Sequence, residues 1–288
     1  MESVLLGNLY IETYPIYYMV LLLVQNISVS YIMDVKTPFL EPNYKVTRAR
    51  EIMRVTGARV LPVINNKYER RLLGIVTRLE ILSVTSTKSE LKVKDIMTQP
   101  PLIFDENLDV VLATKQMLSK DEWYVPVVKG EEYQGMLGLE NIIMWLLYHR
   151  STSDKNTVKV EEVMSRDVVF VKQDDLLTKV WYLMLKHRYG GLPVVNEKNK
   201  VVGIITQYDI LSKGKARIRL ESESDPLRIP VKEVMNRPVI TVLPKDPIEL
   251  AGEIMVRRNI GRLVVTDEAK SLIGIIDRAD VLRGLLGW

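Results

Sequence analysis

The chain has 288 residues, of which 47% are hydrophobic and 26% are charged, so it can bury a sizeable core beneath a mixed-charge surface. It contains no cysteine and two histidines, which excludes disulfides, thiolate metal sites and thiol nucleophiles and leaves few candidates for histidine general-base chemistry. The net charge of +4 fits a partner that carries phosphates, but it is too small to indicate nucleic acid by itself.

The most apolar stretch of the chain lies near its start, over residues 14–24, and contains Pro15. Its eleven residues fall short of the about 20 that a membrane-spanning helix needs. No basic residue precedes it and no small-residue cleavage site follows it, so a signal peptide is not indicated. We expect an N-terminal extension over residues 1–28 that packs against the rest of a cytoplasmic protein with no membrane partner; Met19 stays open as an alternative start.

A short motif, V-x-x-(I/V)-M, occurs four times along the chain. The four copies are Val29 to Met33, Val93 to Met97, Val160 to Met164 and Val231 to Met235. Their methionines follow one another at intervals of 64, 67 and 71 residues. Recurrence at such a spacing indicates tandem repeats of one structural unit.

Each copy of the motif is followed by the same order of signals. In the third copy a β-rich run covers residues 168–171, an amphipathic helical pattern follows, and strands are predicted over residues 192–195 and 202–206. Asp174, and Asp246 in the fourth copy, precede the helical patterns and are predicted to cap those helices. A short helix closes each unit, which is therefore predicted to be a β-α-β-β-α repeat.

One such repeat cannot bury both faces of its own sheet, because units of about 55 residues are marginal alone. We therefore predict an α+β fold in which four repeats pair into two pseudo-twofold modules, divided by the polar stretch over residues 151–157. Module one is predicted over residues 29–150, with repeat one at 29–84 and repeat two at 93–149; module two is predicted over 158–288, with repeat three at 160–213 and repeat four at 231–285.

These features together resemble the CBS-domain family, named after cystathionine β-synthase. The resemblance is carried by the four V-x-x-(I/V)-M openings, the L-P-V-V strand over residues 192–195 and the G-I-I-T-Q-Y-D sequence that ends at Asp209. It covers residues 29–288, and the layout is similar to that of stand-alone four-repeat proteins and of the nucleotide-sensing subunit of AMP-activated protein kinase. The resemblance implies that two repeats form a Bateman module with two clefts, which commonly bind AMP, ADP, ATP or another adenosyl ligand.

The junction between the last strand and helix of each repeat carries the candidate binding residues. A hydroxyl or acid followed three residues later by an acid is a capping box, but the same geometry offers free N–H groups to a phosphate and a carboxylate to a ribose. The resemblance assigns these two roles to Thr206 and Asp209 in repeat three. Repeat four keeps Asp280 for ribose, whereas Asp277 replaces the hydroxyl and repels a phosphate unless a cation intervenes; it could serve only as a cap.

The other nucleotide-binding positions expected from the resemblance lie on neighbouring strands and loops of module two. They are Ile204, Ile205, Arg262, Val168 and Pro238. Arg59 in repeat one, like Arg262, sits where family members often place a phosphate-facing cation, with an exposed arginine as the alternative. Repeat one has the longer Glu80 and repeat two has Gly138 and Asn141, so we expect module two to bind nucleotide more tightly.

The sequence thus predicts a non-catalytic regulatory sensor that binds AMP, ADP or ATP and requires no cofactor. An S-adenosylmethionine or other adenosyl ligand is the alternative. The regulated partner is expected to be another chain, whose identity the sequence leaves open, as it leaves open a homodimer.

Two other function classes find less support in the sequence. The chain has no Walker loop, no metal-binding acid and histidine cluster and no serine–histidine pair, which argues against an enzyme. Residues 213–219 carry four basic side chains at every second position, which could meet a nucleic acid or form a solvated linker face. Since no nucleic-acid-binding motif accompanies them, nucleic acid is not the expected partner.

Overall fold

The computed structural model describes residues 27–84, 90–149, 157–212 and 228–288. In each of these four ranges a one-turn helix, or a 3-10 turn in the last, is followed by a longer helix, a β-hairpin and a second helix. The apolar stretch at 14–24, most of the predicted boundary at 151–157 and the basic residues 213–219 lie outside the described residues.

Within the described residues, module one contains six helices and five strands. In repeat one these are α1 (Val29–Ile32), α2 (Val46–Thr56), β1 (Val60–Ile64), β2 (Leu72–Thr77) and α3 (Arg78–Ser83). In repeat two they are α4 (Val93–Ile96), β3 (Phe104–Asp105), α5 (Val110–Ser119), β4 (Tyr124–Lys129), β5 (Glu132–Gly138) and α6 (Leu139–His149).

Module two repeats the same order. Repeat three contains α7 (Val160–Val163), β6 (Val171–Lys172), α8 (Leu177–His187), β7 (Gly191–Val195), β8 (Val201–Thr206) and α9 (Gln207–Ser212). Repeat four contains a 3-10 turn (Val231–Glu233), β9 (Thr241–Val242), α10 (Ile248–Arg257), β10 (Arg262–Thr266), β11 (Leu272–Asp277) and α11 (Arg278–Leu286).

The β-hairpin is the common centre of every repeat. Its two strands pair antiparallel, as Val194 does with Gly203, and the short first strand adds in parallel, as Val171 does with Val194. In repeat one this first strand is reduced to a single bridge between Leu40 and Val63. The predicted β-α-β-β-α repeat is confirmed, although the strand predicted over residues 168–171 begins only at Val171.

The methionine motif and the hairpin glycine are exchanged between paired repeats. Met33 packs on Gly135 and Met97 on Gly74, while Met164 packs on Gly274 and Met235 on Gly203. A Cβ added to Gly203 would lie 2.5 Å from the sulfur of Met235 and 3.0 Å from the carbonyl oxygen of Asn236, so a larger residue would have to displace them. This reciprocal packing joins repeat one to two and repeat three to four, in agreement with the predicted pseudo-twofold modules.

The helices join the two modules to each other, which the sequence did not predict. One apolar core combines repeats two and four and includes Ile143 and Leu282; another combines repeats one and three and includes Met53 and Val180. Each module is thus held together by its sheets, and the modules share their helical cores. No helix in the described part of the chain is both long and apolar enough to cross a bilayer.

The predicted helix caps Asp174 and Asp246 are wrong. Helices α8 and α10 begin after Leu176 and Pro247, and neither helix has a side-chain cap. Asp174 instead accepts a hydrogen bond from Lys232 Nζ at 2.7 Å, and Asp246 Oδ2 accepts from the backbone N–H of Leu243 at 2.7 Å. Asp246 therefore stabilises the turn before its helix, whereas Asp174 links repeat three to repeat four.

Candidate functional site

The Thr206 and Asp209 pair closes the junction between β8 and α9. Asp209 is 2% exposed, and its Oδ2 accepts hydrogen bonds from the backbone N–H of Thr206 at 2.8 Å and from its hydroxyl at 2.6 Å. The pair therefore forms the box expected from the sequence, with the hydroxyl directed at Asp209. Helix α9 has six residues, so few peptide dipoles add up at its start.

Repeat four supplies the opposite side of this junction. Asn236, directly after Met235, donates its side-chain amide to Asp209 Oδ1 at 2.7 Å, and its backbone pairs with that of Ile204. Pro238 lies two residues further along the same exposed segment. We call this arrangement the Asp209 cleft; it is formed by Ile204, Thr206, Asp209, Asn236 and Pro238.

Ile205 lies differently from its neighbour. It has no exposed surface and packs in the core that repeats one and three share, whereas Ile204 packs with Val239 between the sheets of module two. Of the two isoleucines expected at the site, Ile204 is therefore the one on the cleft side of the sheet.

Repeat four forms the related Asp280 cleft, made of Asp277, Asp280 and the segment from Ser165 to Val168. Asp277 Oδ1 accepts from the backbone N–H groups of Ala279 at 2.8 Å and of Asp280 at 3.1 Å, so Asp277 caps α11. Ser165 of repeat three pairs with Ile275 beside it, and Val168 follows three residues later. Burial and then the charge of Asp277 raise the pKa of Asp280 to about 7, although Arg283 ion-pairs with it.

Arg262 lies between the two clefts. It opens β10 opposite Asp277, and its guanidinium carbon is 4.6 Å from the centre of the Trp123 ring. The guanidinium also touches Gly190, whose carbonyl oxygen accepts from Gln207, the residue after Thr206. Burial lowers the pKa of Arg262, and the charge of Asp277 opposes this shift. A cation thus stands within reach of both strand–helix junctions of module two.

Side chains from three repeats meet between the modules in what we call the central cluster. Its members are Arg59, Tyr124, Glu140, Asn259 and Arg278. Arg278 is fully buried and donates to Glu140 Oε2 at 2.7 Å and to the Tyr124 hydroxyl at 2.5 Å. Arg59 donates to the same hydroxyl at 3.3 Å and to Asn259 Oδ1 at 2.9 Å. Burial, followed by the charge of Glu140, raises the pKa of Tyr124.

The sequence analysis did not identify Arg278 or its counterpart in repeat one, Arg78. Both follow the first residue of a box, at a position that is buried in all four repeats. Arg78 donates to the carbonyl oxygens of Gly57 and Ala58, and burial followed by the charge of Arg59 lowers its pKa to about 10. The signal available in the sequence was a basic residue, Arg78 or Arg278, at the position where repeat two has the apolar Leu139.

The junctions of module one are also closed. Glu80 Oε2 accepts from the backbone N–H of Thr77 at 2.7 Å, and Asn141 Oδ1 accepts from that of Gly138 at 2.7 Å. The longer Glu80 therefore still completes its box. Among the described residues, however, Asp209 alone of these box residues accepts a hydrogen bond from a side chain of the paired repeat.

The fold and these four equivalent junctions define a tandem-repeat protein whose clefts lie between paired repeats. The family model for the CBS domain matches residues 29–86, 93–148, 160–215 and 231–287. The chain therefore belongs to the CBS-domain family.

The chain is similar over most of its length to proteins of archaea. The chain is 28% identical over 264 residues to the uncharacterized protein MJ1225 of Methanocaldococcus jannaschii, covering 84% of this chain and 92% of that protein. The crystal structure of MJ1225, a candidate archaeal homologue of γ-AMPK, matches with a TM-score of 0.76 at 25% identity, over 89% of this chain and 99% of that one. An uncharacterized conserved protein from Pyrococcus horikoshii matches with a TM-score of 0.61 at 25% identity, over 90% and 100%.

Proposed function

We propose that the protein is a non-catalytic regulatory sensor that binds an adenine nucleotide, AMP, ADP or ATP, in the clefts of module two. The observation that carries the proposal is the buried Asp209 carboxylate, which Thr206 holds from one repeat while Asn236 donates to it from the other. An ionised carboxylate offers two oxygens, so it can accept from both hydroxyls of a ribose.

The Asn236 amide marks the place of a ribose hydroxyl. It donates to Asp209 Oδ1 from an exposed segment, whereas the Oδ2 atom is held by its own repeat. A ribose hydroxyl that replaces this amide keeps the buried carboxylate satisfied, which avoids the cost of an unpaired charge. The adenine would then lie against Ile204 and Pro238.

Arg262 is the proposed phosphate contact. A guanidinium binds phosphate through paired N–H groups, and Arg262 stands beside Gly190 at the Thr206 junction. It also faces Asp277, whose carboxylate repels phosphate in the Asp280 cleft. The Asp209 cleft is therefore proposed as the tighter of the two sites, and module two as the tighter module.

The regulated activity is proposed to reside in another chain. Inosine-5'-monophosphate dehydrogenase of Methanocaldococcus jannaschii is 33% identical over 125 residues, which is 43% of this chain but 23% of that enzyme. In that relative the matched residues are a minor part of a longer enzyme, and in this chain the family model matches four repeats. Binding without chemistry is the role that such an arrangement supports.

Calorimetric titration of the full chain with AMP, ADP, ATP and S-adenosylmethionine tests the proposal. We expect an adenine nucleotide to bind most tightly, and Asp209→Asn to weaken it about tenfold or more, because hydrogen bonds to a charged acceptor are strong. Glu80→Gln neutralises the equivalent acid of repeat one and is the matched control, which we expect to change the affinity little.

Two results would contradict this assignment. If Asp209→Asn lowers the thermal stability of the ligand-free protein but leaves nucleotide affinity unchanged, the box serves only as a cap. If nucleic acid binds more tightly than nucleotide, with a steep dependence on salt, the nucleic-acid alternative is favoured instead.

A further inference from the structure

Repeat one carries a pocket that contains none of the box residues. Its volume is about 390 Å³, and it is lined by the segment 35–39, by helix α2 and by Arg70. Arg70 lies in the turn between β1 and β2, at the end of the hairpin opposite to Thr77. The pocket is therefore separate from the strand–helix junctions described above.

Cations and aromatic rings form the walls of this pocket. The guanidinium carbon of Arg48 is 3.8 Å from the centre of the Tyr44 ring, and that of Arg70 is 5.7 Å from the centre of the Phe39 ring. Lys36 adds a third positive charge, and no acidic side chain is among the described residues that line the pocket. Within the described part of the chain none of these three cations forms an ion pair.

The equivalent place in repeat three is built differently. Arg48 is the third residue of the 11-residue helix α2, and Lys179 is the third residue of the 11-residue helix α8. Two residues before each helix, repeat one has Tyr44 and repeat three has Asp175. Lys179 Nζ lies 2.8 Å from Asp175 Oδ2, so its charge is neutralised, whereas Arg48 stacks on a ring and keeps its N–H groups for another acceptor.

We propose that this pocket binds a small organic anion, in which a phosphate or carboxylate group is attached to an aromatic ring. A guanidinium stacked face-on against a ring leaves its N–H groups in the plane, where they bind an anion through two hydrogen bonds. Phe39, Tyr44 and Ile52 supply apolar surface for the body of the ligand. The volume falls in the range of small-molecule sites.

The test uses 1-naphthyl phosphate and 1-naphthoate, titrated against the full chain by calorimetry. We expect at least one of them to bind at a single site. Inorganic phosphate lacks the aromatic ring and 1-naphthol lacks the anionic group, so each should bind about tenfold more weakly or not at all. Whichever of the two naphthyl anions binds more tightly identifies the charged group.

Substitutions separate this site from the nucleotide clefts. Arg48 is exposed, so we expect Arg48→Ala to fold and to weaken naphthyl-anion binding about tenfold. Lys179→Ala is the matched control, and Asp209→Asn tests independence from the Asp209 cleft; both should leave the affinity unchanged. The proposal would be overturned if the naphthyl anions show no saturable binding. It would also be overturned if Arg48→Ala causes no loss of affinity, or a loss equal to that of Lys179→Ala.

Discussion

The two modules share one architecture but use their strand–helix junctions differently. In module two, Asp209 accepts from Asn236 across the cleft, and Arg262 lies beside the junction. In module one, Glu140 lies within the box of repeat two, and both Glu140 and Tyr124 accept hydrogen bonds from Arg278 of module two. The polar groups near the junction of repeat two are therefore committed to contacts between the modules.

This difference shows how repeats of one fold can place their polar side chains in different contacts. The reciprocal packing of methionine and glycine keeps all four hairpins alike, so the backbone of each junction is preserved. Side chains around the junction then decide whether its polar groups contact the paired repeat or a neighbouring module. Because the helical cores combine residues of both modules, the two modules should be compared through substitutions in the intact chain.

The largest expected effect concerns the ion pair that joins the modules. Arg278→Met removes a fully buried cation and leaves the Glu140 carboxylate without the ion pair that Arg278 provides. Breaking a buried pair from one side is strongly destabilising, so we expect a loss of about 3 kcal/mol in the free energy of unfolding, measured with chemical denaturant.

The pair itself is isolated by a double-mutant cycle. Arg278→Met combined with Glu140→Gln should recover part of the loss, because neither charge is then left unpaired. Strictly additive losses would show that the two side chains are not coupled, and that the modules are joined by their apolar cores alone.

A smaller effect is expected when a hairpin glycine is replaced. The replacement should lower stability in both modules but weaken nucleotide binding only in module two. Gly203→Ala and Gly74→Ala should each cost about 1–3 kcal/mol of stability, because the new Cβ crowds the paired repeat. At Gly203 the crowding reaches Asn236, so that variant should also bind nucleotide more weakly, whereas Gly74→Ala should not.

Thermal unfolding and nucleotide titration of the two alanine variants check this expectation. Met235→Ala removes the sulfur that the new Cβ meets, so it should cost less stability in the Gly203→Ala background than in the parent. Equal nucleotide affinity in the Gly203 and Gly74 variants would contradict the distinction between the modules.

The repeat and its pairing could be predicted from the sequence because they rest on local and periodic signals. The four methionines and the glycines of the second hairpin strands recur in register, and their contacts prove to be reciprocal. The helix caps could not be placed from residue type alone. Asp174 and Asp246 resemble caps, but two residues separate Asp174 from the start of its helix and one residue separates Asp246 from its own.

The candidate site was only partly accessible from the sequence. The Thr206 and Asp209 box is local and was found, but the donor to Asp209 comes from Asn236 in the next repeat. The central cluster combines residues of three repeats, with Tyr124 and Arg278 separated by 154 positions in the chain. Its assembly depends on how the helices of the two modules pack, for which a single sequence carries no local signal.

The smallest expected effect concerns the paired acids of the Asp280 cleft. Burial and then the charge of Asp277 hold the pKa of Asp280 at about 7, above the ordinary aspartate value of 3.8. Between these two values the folded protein binds more protons than the unfolded chain, so stability falls as the pH rises. Asp277→Asn removes the second cause while its amide oxygen can still cap α11.

We therefore expect Asp277→Asn to match the parent near pH 4 and to be more stable by about 1 kcal/mol at pH 8, where the repulsion between the two carboxylates is fully developed in the parent. The gain is limited because Asp277 also attracts Arg262 across the strand pair. Denaturant unfolding of both proteins from pH 4 to pH 8 measures the difference, and Asp280→Asn serves as the control without the titrating group. If the two stability curves run parallel over this range, the acids do not interact, and the charge of Asp277 is not a cause of the raised pKa of Asp280.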